Sequence, residues 1–391
     1  MKTIANKYFT LLLIVLFHAF AANAQSTDHN YIQTWDLKVA GYKTSGSISG
    51  NTPLTHAIRT IQYYDGLGRL SQTVVPGFAP DGKSMVTPKV YNEVGLDETN
   101  YQPYIARTVE PIYRDDYADE LITFYEDNYY DRFGNAPVEY EKSPLNRIVK
   151  QGAPGADWQL EDGHFVSFEY LTNNSSAELK AINWKATDDL CIHNGLYPAA
   201  ELYVTKVTAE DGAIAYEFKD KLGNVLLKRS KAPLNEYADT YYVYDDFNLL
   251  RFVISPEGSS QITGNFSMSD DLARKFVYFY KYDNRKRLIE KKLPGKEPEY
   301  TVYNQIDMPI MYQDGNMRKM NGAVKAYEWL YTKYDALGRV IITGITTEYS
   351  SQTRDQVQSL ADASDYCWEY LLHPSSYPVS FYNYYSGQSF P

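Results

Sequence analysis

One short unit recurs eight times along this chain and limits what the chain can fold into. It consists of a strand ending in Tyr-Asp, two variable residues, a glycine, and a basic or polar residue that opens a second strand. The clearest copies are Tyr64-Asp65-Gly66-Leu67-Gly68-Arg69 and Tyr334-Asp335-Ala336-Leu337-Gly338-Arg339. Good copies are Tyr130-Asp131-Arg132-Phe133-Gly134-Asn135 and Asp220-Lys221-Leu222-Gly223-Asn224. Degenerate copies are Tyr91-Asn92-Glu93-Val94-Gly95, Tyr244-Asp245-Asp246-Phe247-Asn248, Tyr282-Asp283-Asn284-Arg285-Lys286 and Tyr303-Asn304-Gln305-Ile306-Asp307.

The spacing of the unit predicts a tight hairpin. An Asp side chain can accept the backbone N–H two residues further on and start a type I turn. The glycine then adopts the left-handed conformation that closes a hairpin with a bulge. Three copies carry Asn248, Lys286 or Asp307 at the glycine position. Non-glycine residues are uncommon in this conformation, so these three turns are expected to be looser or of another type.

Composition agrees with an all-β fold. The chain has 391 residues, of which 38 are tyrosine, a residue that favours strands because its ring packs on a pleated surface. Only two short helices are predicted, over 268–276 and 354–360, with Ser267 and Thr353 placed to cap them. The Gly- and Pro-containing stretch around residues 143–158 suggests a boundary. The predicted organisation is a leader over 1–24, an N-terminal domain with the first Tyr-Asp units over 25–160, and a repeat segment over 161–391.

The first 24 residues have the features of an export signal. Lys2 and Lys7 supply positive charge, an apolar run covers 9–20, and Ala22-Asn23-Ala24 offers small residues for cleavage. The alternative, a membrane anchor, is disfavoured because a spanning helix needs about 20 apolar residues. The mature chain is therefore expected to be secreted or on the cell surface, and not to be an integral membrane protein.

Charge and cysteine content restrict the partners. Without the two leader lysines, 36 basic residues face 49 acidic ones, for a net charge of −13. Phosphate binding needs a basic face, so nucleic acid is excluded as a partner. An exported protein could join Cys191 to Cys367, but one distant pair is no disulfide framework, and both could equally be buried thiols.

Candidate catalytic residues are few and have structural explanations. Cys191 and His193 could be two metal ligands, yet no second pair at suitable spacing completes a site. Acidic pairs could serve a glycosidase only if two carboxyl groups faced each other across a cleft. Asp245 belongs to a predicted turn, and Asp270-Asp271 lies at a predicted helix start, where acids suit the dipole. We therefore expect no enzyme, no cofactor and no metal; a hydrolase is the remotest hypothesis. Asp245 pairs with Asp246 in sequence, and the two remaining acidic pairs, Asp115-Asp116 and Asp188-Asp189, are expected to lie in solvated loops.

The sequence resembles the Rhs/YD-repeat family, and more narrowly the Bacteroidetes-type Rhs-associated proteins that carry an N-terminal domain of unknown function. The resemblance covers nearly the whole mature chain. It rests on the eight units and on the strings between them, namely Ser143-Pro144-Leu145-Asn146-Arg147, Gln151-Gly152-Ala153-Pro154-Gly155, Tyr242-Val243-Tyr244-Asp245-Asp246-Phe247 and Glu290-Lys291-Lys292-Leu293-Pro294-Gly295.

This resemblance implies a spiralling antiparallel β-sheet that forms part of a hollow shell. Family members are much longer and end in a conserved core and a variable C-terminal domain, often a toxin held inside the shell. Neither ending is recognisable here, so the expectation is the N-terminal part of a truncated shell. The implied partner is a downstream Rhs segment or effector polypeptide. The alternative is a surface module whose exposed tyrosines bind a glycan or a protein.

Overall fold

The computed structural model describes residues 29–42, 45–50, 52–187, 189–233, 236–318, 320–321, 324–325, 327–371 and 385–391. The predicted leader, 1–24, lies outside these residues, as does Asp188. The chain divides into two compact units. One comprises residues up to Glu169 together with Val207–Ala213, and the other comprises Tyr170–Lys206 and Ile214–Pro391. The boundary predicted at 160 stays a prediction.

The first unit is built mainly of antiparallel strands. Its elements are β1 Asn30–Leu37, β2 Ala57–Tyr64, β3 Leu70–Val75, β4 Met85–Pro88, β5 Thr99–Tyr101, β6 Tyr104–Ile105, α1 Tyr117–Tyr129, β7 Asn135–Tyr140, β8 Ile148–Gln151 and the start of β9 Val166–Thr172, with short 3-10 turns at Ser45–Ser47 and Ala156–Trp158. One sheet has the order β1-β2-β3-β4-β6, and in the other β5, β7, β8 and β9 are successive neighbours.

Alternation along β2 creates the core of this unit. Every second side chain is buried, as a half-buried strand requires, and Ile61 and Tyr63 face inward. They pack with Val74, Val86 and Leu121, the last of which belongs to α1. The helix therefore covers one face of the first sheet.

The second unit contains most of the hairpins. Its strands are β10 Ile182–Ala186, β11 Leu190–Leu196, the larger part of β12 Tyr203–Thr208, β13 Ile214–Lys219, β14 Val225–Lys231, β15 Tyr237–Tyr244, β16 Leu250–Ile254, β17 Phe266–Ser267, β18 Val277–Tyr282, β19 Leu288–Lys292, β20 Glu299–Tyr303, β21 Pro309–Gln313, β22 Met320–Asn321, β23 Val324–Lys325, β24 Trp329–Tyr334 and β25 Val340–Thr346. Its helices are α2 Pro256–Gln261, α3 Asp271–Phe276 and α4 Arg354–Asp362.

A large antiparallel sheet dominates this unit. Its strands follow the order β13-β14-β15-β16-β18-β19-β20-β21-β24-β25, while β10, β11 and β17 form a small separate sheet. Two apolar cores lie on the large sheet, one around Phe218, Leu227 and Phe252 and one around Trp329 and Val357. The prediction of an all-β fold with large antiparallel sheets is confirmed.

The helix predictions were only partly right. Thr353 caps α4 through a capping box with Gln356. Ser267, however, caps nothing: Asp270 is the N-cap of α3, and the Ser267 N–H donates to its carboxylate at 2.7 Å. Helices α1 and α2 were not predicted. The α2 signal was present as Ser255, which accepts from Gly258 N–H, followed by Pro256 at the first helical position.

Candidate functional site: the Tyr-Asp turns

Seven of the eight units form the same turn, in which one side-chain oxygen organises the backbone. In the turn at Asp283, Oδ1 accepts the N–H of Arg285 and of Arg287, both at 2.9 Å. The sequence argument had anticipated only the first of these bonds. The Asp283 N–H in turn donates to the Arg287 carbonyl at 3.1 Å, which closes the loop. The same bonds recur at Asp65, Asn92, Asp220, Asp245, Asn304 and Asp335.

The fourth residue of each turn is left-handed whether or not it is glycine. Gly68, Gly95, Gly223 and Gly338 have φ between 75° and 91°, and Asn248, Lys286 and Asp307 have φ between 63° and 67°. The expectation that the last three turns would be looser was wrong, because their hydrogen bonds have the same pattern and lengths. The two bonds to Oδ1 and the closing bond outweigh the left-handed cost of about 1–2 kcal/mol. The predicted bulge is also present at most turns, where the residue before the Asp or Asn pairs across a register shift.

An arginine four residues after the aspartate uses the second carboxylate oxygen. The Nε atoms of Arg69, Arg287 and Arg339 lie 2.7–2.8 Å from Oδ2 of Asp65, Asp283 and Asp335. Burial acts to raise the pKa of Asp283, but hydrogen bonds from the backbone and side chain of Arg287 outweigh it and lower the pKa. The Asp283 carboxylate is thus held ionised and has both oxygens engaged in the turn.

The tyrosine before the turn connects successive hairpins. In four hairpins its hydroxyl donates to the carbonyl of the fifth residue after the Asp or Asn of the preceding hairpin. In the second unit these bonds join Tyr282 to Leu250 at 3.1 Å, Tyr303 to Leu288 at 2.8 Å and Tyr334 to Pro309 at 2.8 Å. In the first unit Tyr140 donates in the same way to Asp97 at 3.0 Å. We call this bond the tyrosine lock; sequence reasoning missed it, although tyrosine rather than phenylalanine at this position was a usable signal.

The turn arginine also packs on the next tyrosine. The Arg287 guanidinium lies 4.8 Å from the ring centre of Tyr303, and Arg69 lies 4.4 Å from that of Tyr91. Both distances are within the range of cation–π attraction. One arginine therefore binds its own turn through Asp and the following hairpin through Tyr.

The unit at Tyr130-Asp131 does not form this turn, so its assignment as a repeat turn was wrong. Tyr130 is the left-handed C-cap of α1 and is 95% exposed, and its N–H donates to Glu126. Asp131 accepts from Phe133 N–H, but its other oxygen accepts from Ala156 N–H at 2.9 Å. Gly134 is not left-handed, because a helix rather than a strand precedes the motif.

A hairpin that was not counted among the units follows shortly after. Glu141 takes the place of the aspartate, its N–H donates to the Arg147 carbonyl, and its carboxylate binds the Arg147 guanidinium in a bidentate pair. Asn146 is the left-handed residue, with φ 51°. Hydrogen bonds from Arg147 and Ser143 lower the pKa of Glu141 to about 2. The loop is two residues longer than in the other turns, which hid it from the Tyr-Asp pattern.

Residues considered for chemistry are placed apart or serve structural roles. Asp116 and Asp270 are the N-cap residues of α1 and α3, and Asp245 belongs to its turn. Cys191 is buried, Cys367 is partly exposed, and both are free thiols. Burial strongly raises the pKa of the Cys191 thiol. Among the described residues no group of three or more His, Cys, Asp or Glu side chains could hold a metal ion.

Comparisons with known proteins give one family match, over residues 35–172, to a domain of unknown function, DUF6443. No curated protein matches the chain. Within the described ranges, no helix combines the length and apolar character needed to cross a membrane.

Several solved structures are similar at low sequence identity. A crystal structure titled TcdB2-TccC3-TEV matches with a TM-score of 0.48 and 14% identity, over 78% of this chain and 13% of that one. The Photorhabdus luminescens Tc holotoxin pore matches with a TM-score of 0.46 and 12% identity, over 75% of this chain and 12% of that one. The chain thus spans about an eighth of the length of these structures, and the family match is confined to residues 35–172.

Proposed function

We propose that this chain is a non-enzymatic, exported repeat scaffold. In this proposal it is the N-terminal part of an Rhs-type shell that encloses or presents a polypeptide following it. The observation that carries the proposal is the tyrosine lock, because it joins four of the hairpins to the hairpin before each of them. A polypeptide with such a lock can extend its sheet by adding hairpins without any new kind of contact.

The chemistry of the repeat supports this role. Both oxygens of Asp283 and the guanidinium of Arg287 are engaged in the turn and in the next hairpin. Groups used in this way are not available to bind or transform a substrate. Within the acidic pairs that could have served a hydrolase, Asp116 and Asp270 lie at helix starts, Asp245 belongs to its turn, and Asp189 pairs with Lys281 at 2.9 Å.

Export and the partner belong to the same proposal. The leader-like residues 1–24 would direct the chain to the cell surface or beyond. The partner would be a downstream Rhs segment or an effector polypeptide. Because acidic residues outnumber basic ones in the mature chain, we do not propose nucleic acid as a partner.

The test begins with the gene. We expect an in-frame continuation of Tyr-Asp units after residue 391, and a chain expressed with that continuation should protect the following polypeptide from limited proteolysis. The matched control is the same polypeptide expressed without residues 25–391. Equal cleavage rates in the two samples would contradict the proposal, as would a stable monomer of residues 25–391 from a gene with no continuation.

A second candidate function, glycan binding, is favoured by one cluster. Tyr366, Trp368 and Tyr370 alternate along the chain after α4, and all three side chains are exposed. Exposed aromatic rings can stack on sugars, and this trio was not singled out in the sequence. Tyr125 and Tyr129 differ from this trio because they stack on each other, with ring centres 5.2 Å apart.

Glycan-array binding would separate the two functions. If the trio binds sugars, Trp368→Ala should abolish array binding, whereas Tyr130→Ala, which removes another exposed ring, should not. Absence of binding by the unaltered chain would remove this candidate and leave the scaffold proposal intact.

A further inference from the structure

Among the described residues, the last strand of the large sheet, β25, has an open edge. In that part of the chain it pairs with β24 alone. Its Val340 and Ile345 side chains are 57% and 61% exposed. Edge strands are normally protected by charged residues, prolines or bulges. The seven residues of β25 include neither a charge nor a proline, so its edge is a suitable template for another strand.

An internal hairpin shows what such an edge binds. After the turn at Asp283, β20 pairs with β19, and Tyr303 at the end of β20 places its ring against Arg287. The Tyr303 hydroxyl donates to the carbonyl of Leu288, the first residue of β19. The Asn304 carbonyl and the Asp307 carboxylate also bind the Arg287 guanidinium, and the Arg287 side chain is only 12% exposed.

The turn at Asp335 repeats the first half of this arrangement. Arg339 binds Asp335 through Nε at 2.7 Å, as Arg287 binds Asp283. The first residue of β25, Val340, corresponds to Leu288 of β19. The Arg339 side chain, however, is 72% exposed. It is already oriented by the same ion pair that presents Arg287 to a tyrosine ring.

We propose that β25 and Arg339 form a docking edge for an extended polypeptide segment that ends in tyrosine followed by Asp or Asn. The segment would run antiparallel to β25, its ring would lie against Arg339, and its hydroxyl would donate to the Val340 carbonyl. This inference rests on the proposed scaffold function and names how the partner polypeptide is recognised. The occupant is thus another Tyr-Asp strand.

A peptide supplies the test. The probe is a fluorescent peptide of residues 299–313, the hairpin that covers Arg287 within the chain, titrated with the full chain and followed by anisotropy. We expect saturable binding. Replacing the peptide's tyrosine that corresponds to Tyr303 with phenylalanine should weaken binding about fivefold, the effect of one lost hydrogen bond.

Variants of the chain locate the site. Ile345→Lys, which places a charge on the edge strand, should weaken binding at least about tenfold. Arg339→Ala should weaken it about threefold or more through loss of the cation–π contact. Leu337→Lys is the matched control, because it adds the same charge on the exposed tip of the same turn, and its affinity should be unchanged. Far-ultraviolet circular dichroism checks that each variant is folded.

Three outcomes would overturn the inference. One is an absence of saturable binding to the folded chain. Another is binding that Ile345→Lys leaves unchanged. The third is concentration-dependent self-association in analytical ultracentrifugation that Ile345→Lys abolishes, because a second copy would then occupy the edge. Protection of a downstream polypeptide from proteolysis is measured independently, so the docking edge can fail while the scaffold proposal stands.

Discussion

Two copies of the motif, at Asp131 and Asp283, each adopt a structure that differs from the one its sequence predicts. The Asp131 copy has glycine at the fourth position and matches the pattern well, yet it lies at the end of α1 and forms no hairpin. The Asp283 copy has lysine at that position, yet it closes the same turn as Asp65 and Asp335. The better motif is therefore not the better turn.

The difference shows which interactions determine the turn. Asp283 lies between two strands that pair with each other, so the turn brings the N–H groups of Arg285 and Arg287 to one oxygen of the carboxylate. Asp131 follows a helix, and its second oxygen binds the 152–158 loop instead. Glycine lowers the energetic cost of the left-handed conformation, but the flanking strands and the carboxylate decide whether the turn forms.

The largest expected effect is at the two aspartates. Asp283→Ala removes two backbone hydrogen bonds and one of the two carboxylates that pair with the largely buried Arg287, the other being Asp307 at 3.0 Å, so it should lower the free energy of unfolding by about 3 kcal/mol. Asp131→Ala should cost about 1 kcal/mol, because it loses one hydrogen bond to partly buried backbone and one to exposed backbone. Urea denaturation measures both. Equal losses would mean that the two aspartates stabilise their surroundings alike.

Replacement by alanine should also cost different amounts of stability at Gly134, in the Asp131 copy, and at Gly223, in the Asp220 turn. A Cβ on Gly134 would lie 2.3 Å from the Tyr125 ring, so Gly134→Ala should cost about 2 kcal/mol through overpacking. Gly223 has open space around it but φ 91°, so Gly223→Ala should cost about 1 kcal/mol through backbone strain alone. Adding Tyr125→Ala should rescue Gly134→Ala; if it does not, a steric clash is not the cause.

The pH dependence at Asp283 follows from its lowered pKa. Asp283→Asn keeps an acceptor for the backbone, as Asn92 and Asn304 do, but removes one of the two carboxylate charges that pair with Arg287, leaving that of Asp307. The extra stability of the unaltered chain over this variant should be fully present above the ordinary Asp pKa of 3.8. It should disappear as the pH falls through the lower folded pKa. Urea midpoints of both proteins across the acidic range measure this difference, and a difference that persists in strong acid would contradict the role of the ion pair.

The smallest expected effect is at Lys286. Lys286→Gly removes a left-handed cost of about 1 kcal/mol, but it also removes the ammonium 5.0 Å from the Phe247 ring centre, worth about 0.5 kcal/mol. The net result should be a gain of about 0.5 kcal/mol. Lys286→Ala loses the ammonium without relieving the backbone, so it should be less stable than the glycine variant by about 1 kcal/mol. Equal stability of the two variants would show that φ at this position costs nothing.

The failure to predict α1 has a physical explanation. Tyr117, Leu121, Phe124 and Tyr125 follow helical spacing, and Asp119 and Glu120 lie in the first turn. The abundance of tyrosine, a strand-favouring residue, and the adjoining Tyr130-Asp131 motif pointed toward another hairpin. Helix formation is decided by burial of Leu121 among Ile61, Val74 and Val86, residues far away in sequence.

Local sequence determined the all-β class, the positions of seven turns and the cap of α4, because each depends on residues within five positions of one another. The tyrosine lock, the packing of Arg287 on Tyr303 and the exposure of Arg339 were decided only by the tertiary structure. These features join different hairpins, and the residue spacing within one unit does not predict which carbonyl or ring of another hairpin will lie next to it. The same separation explains the Asp131 copy: the motif supplies the carboxylate, and the elements packed around it decide which N–H groups it binds.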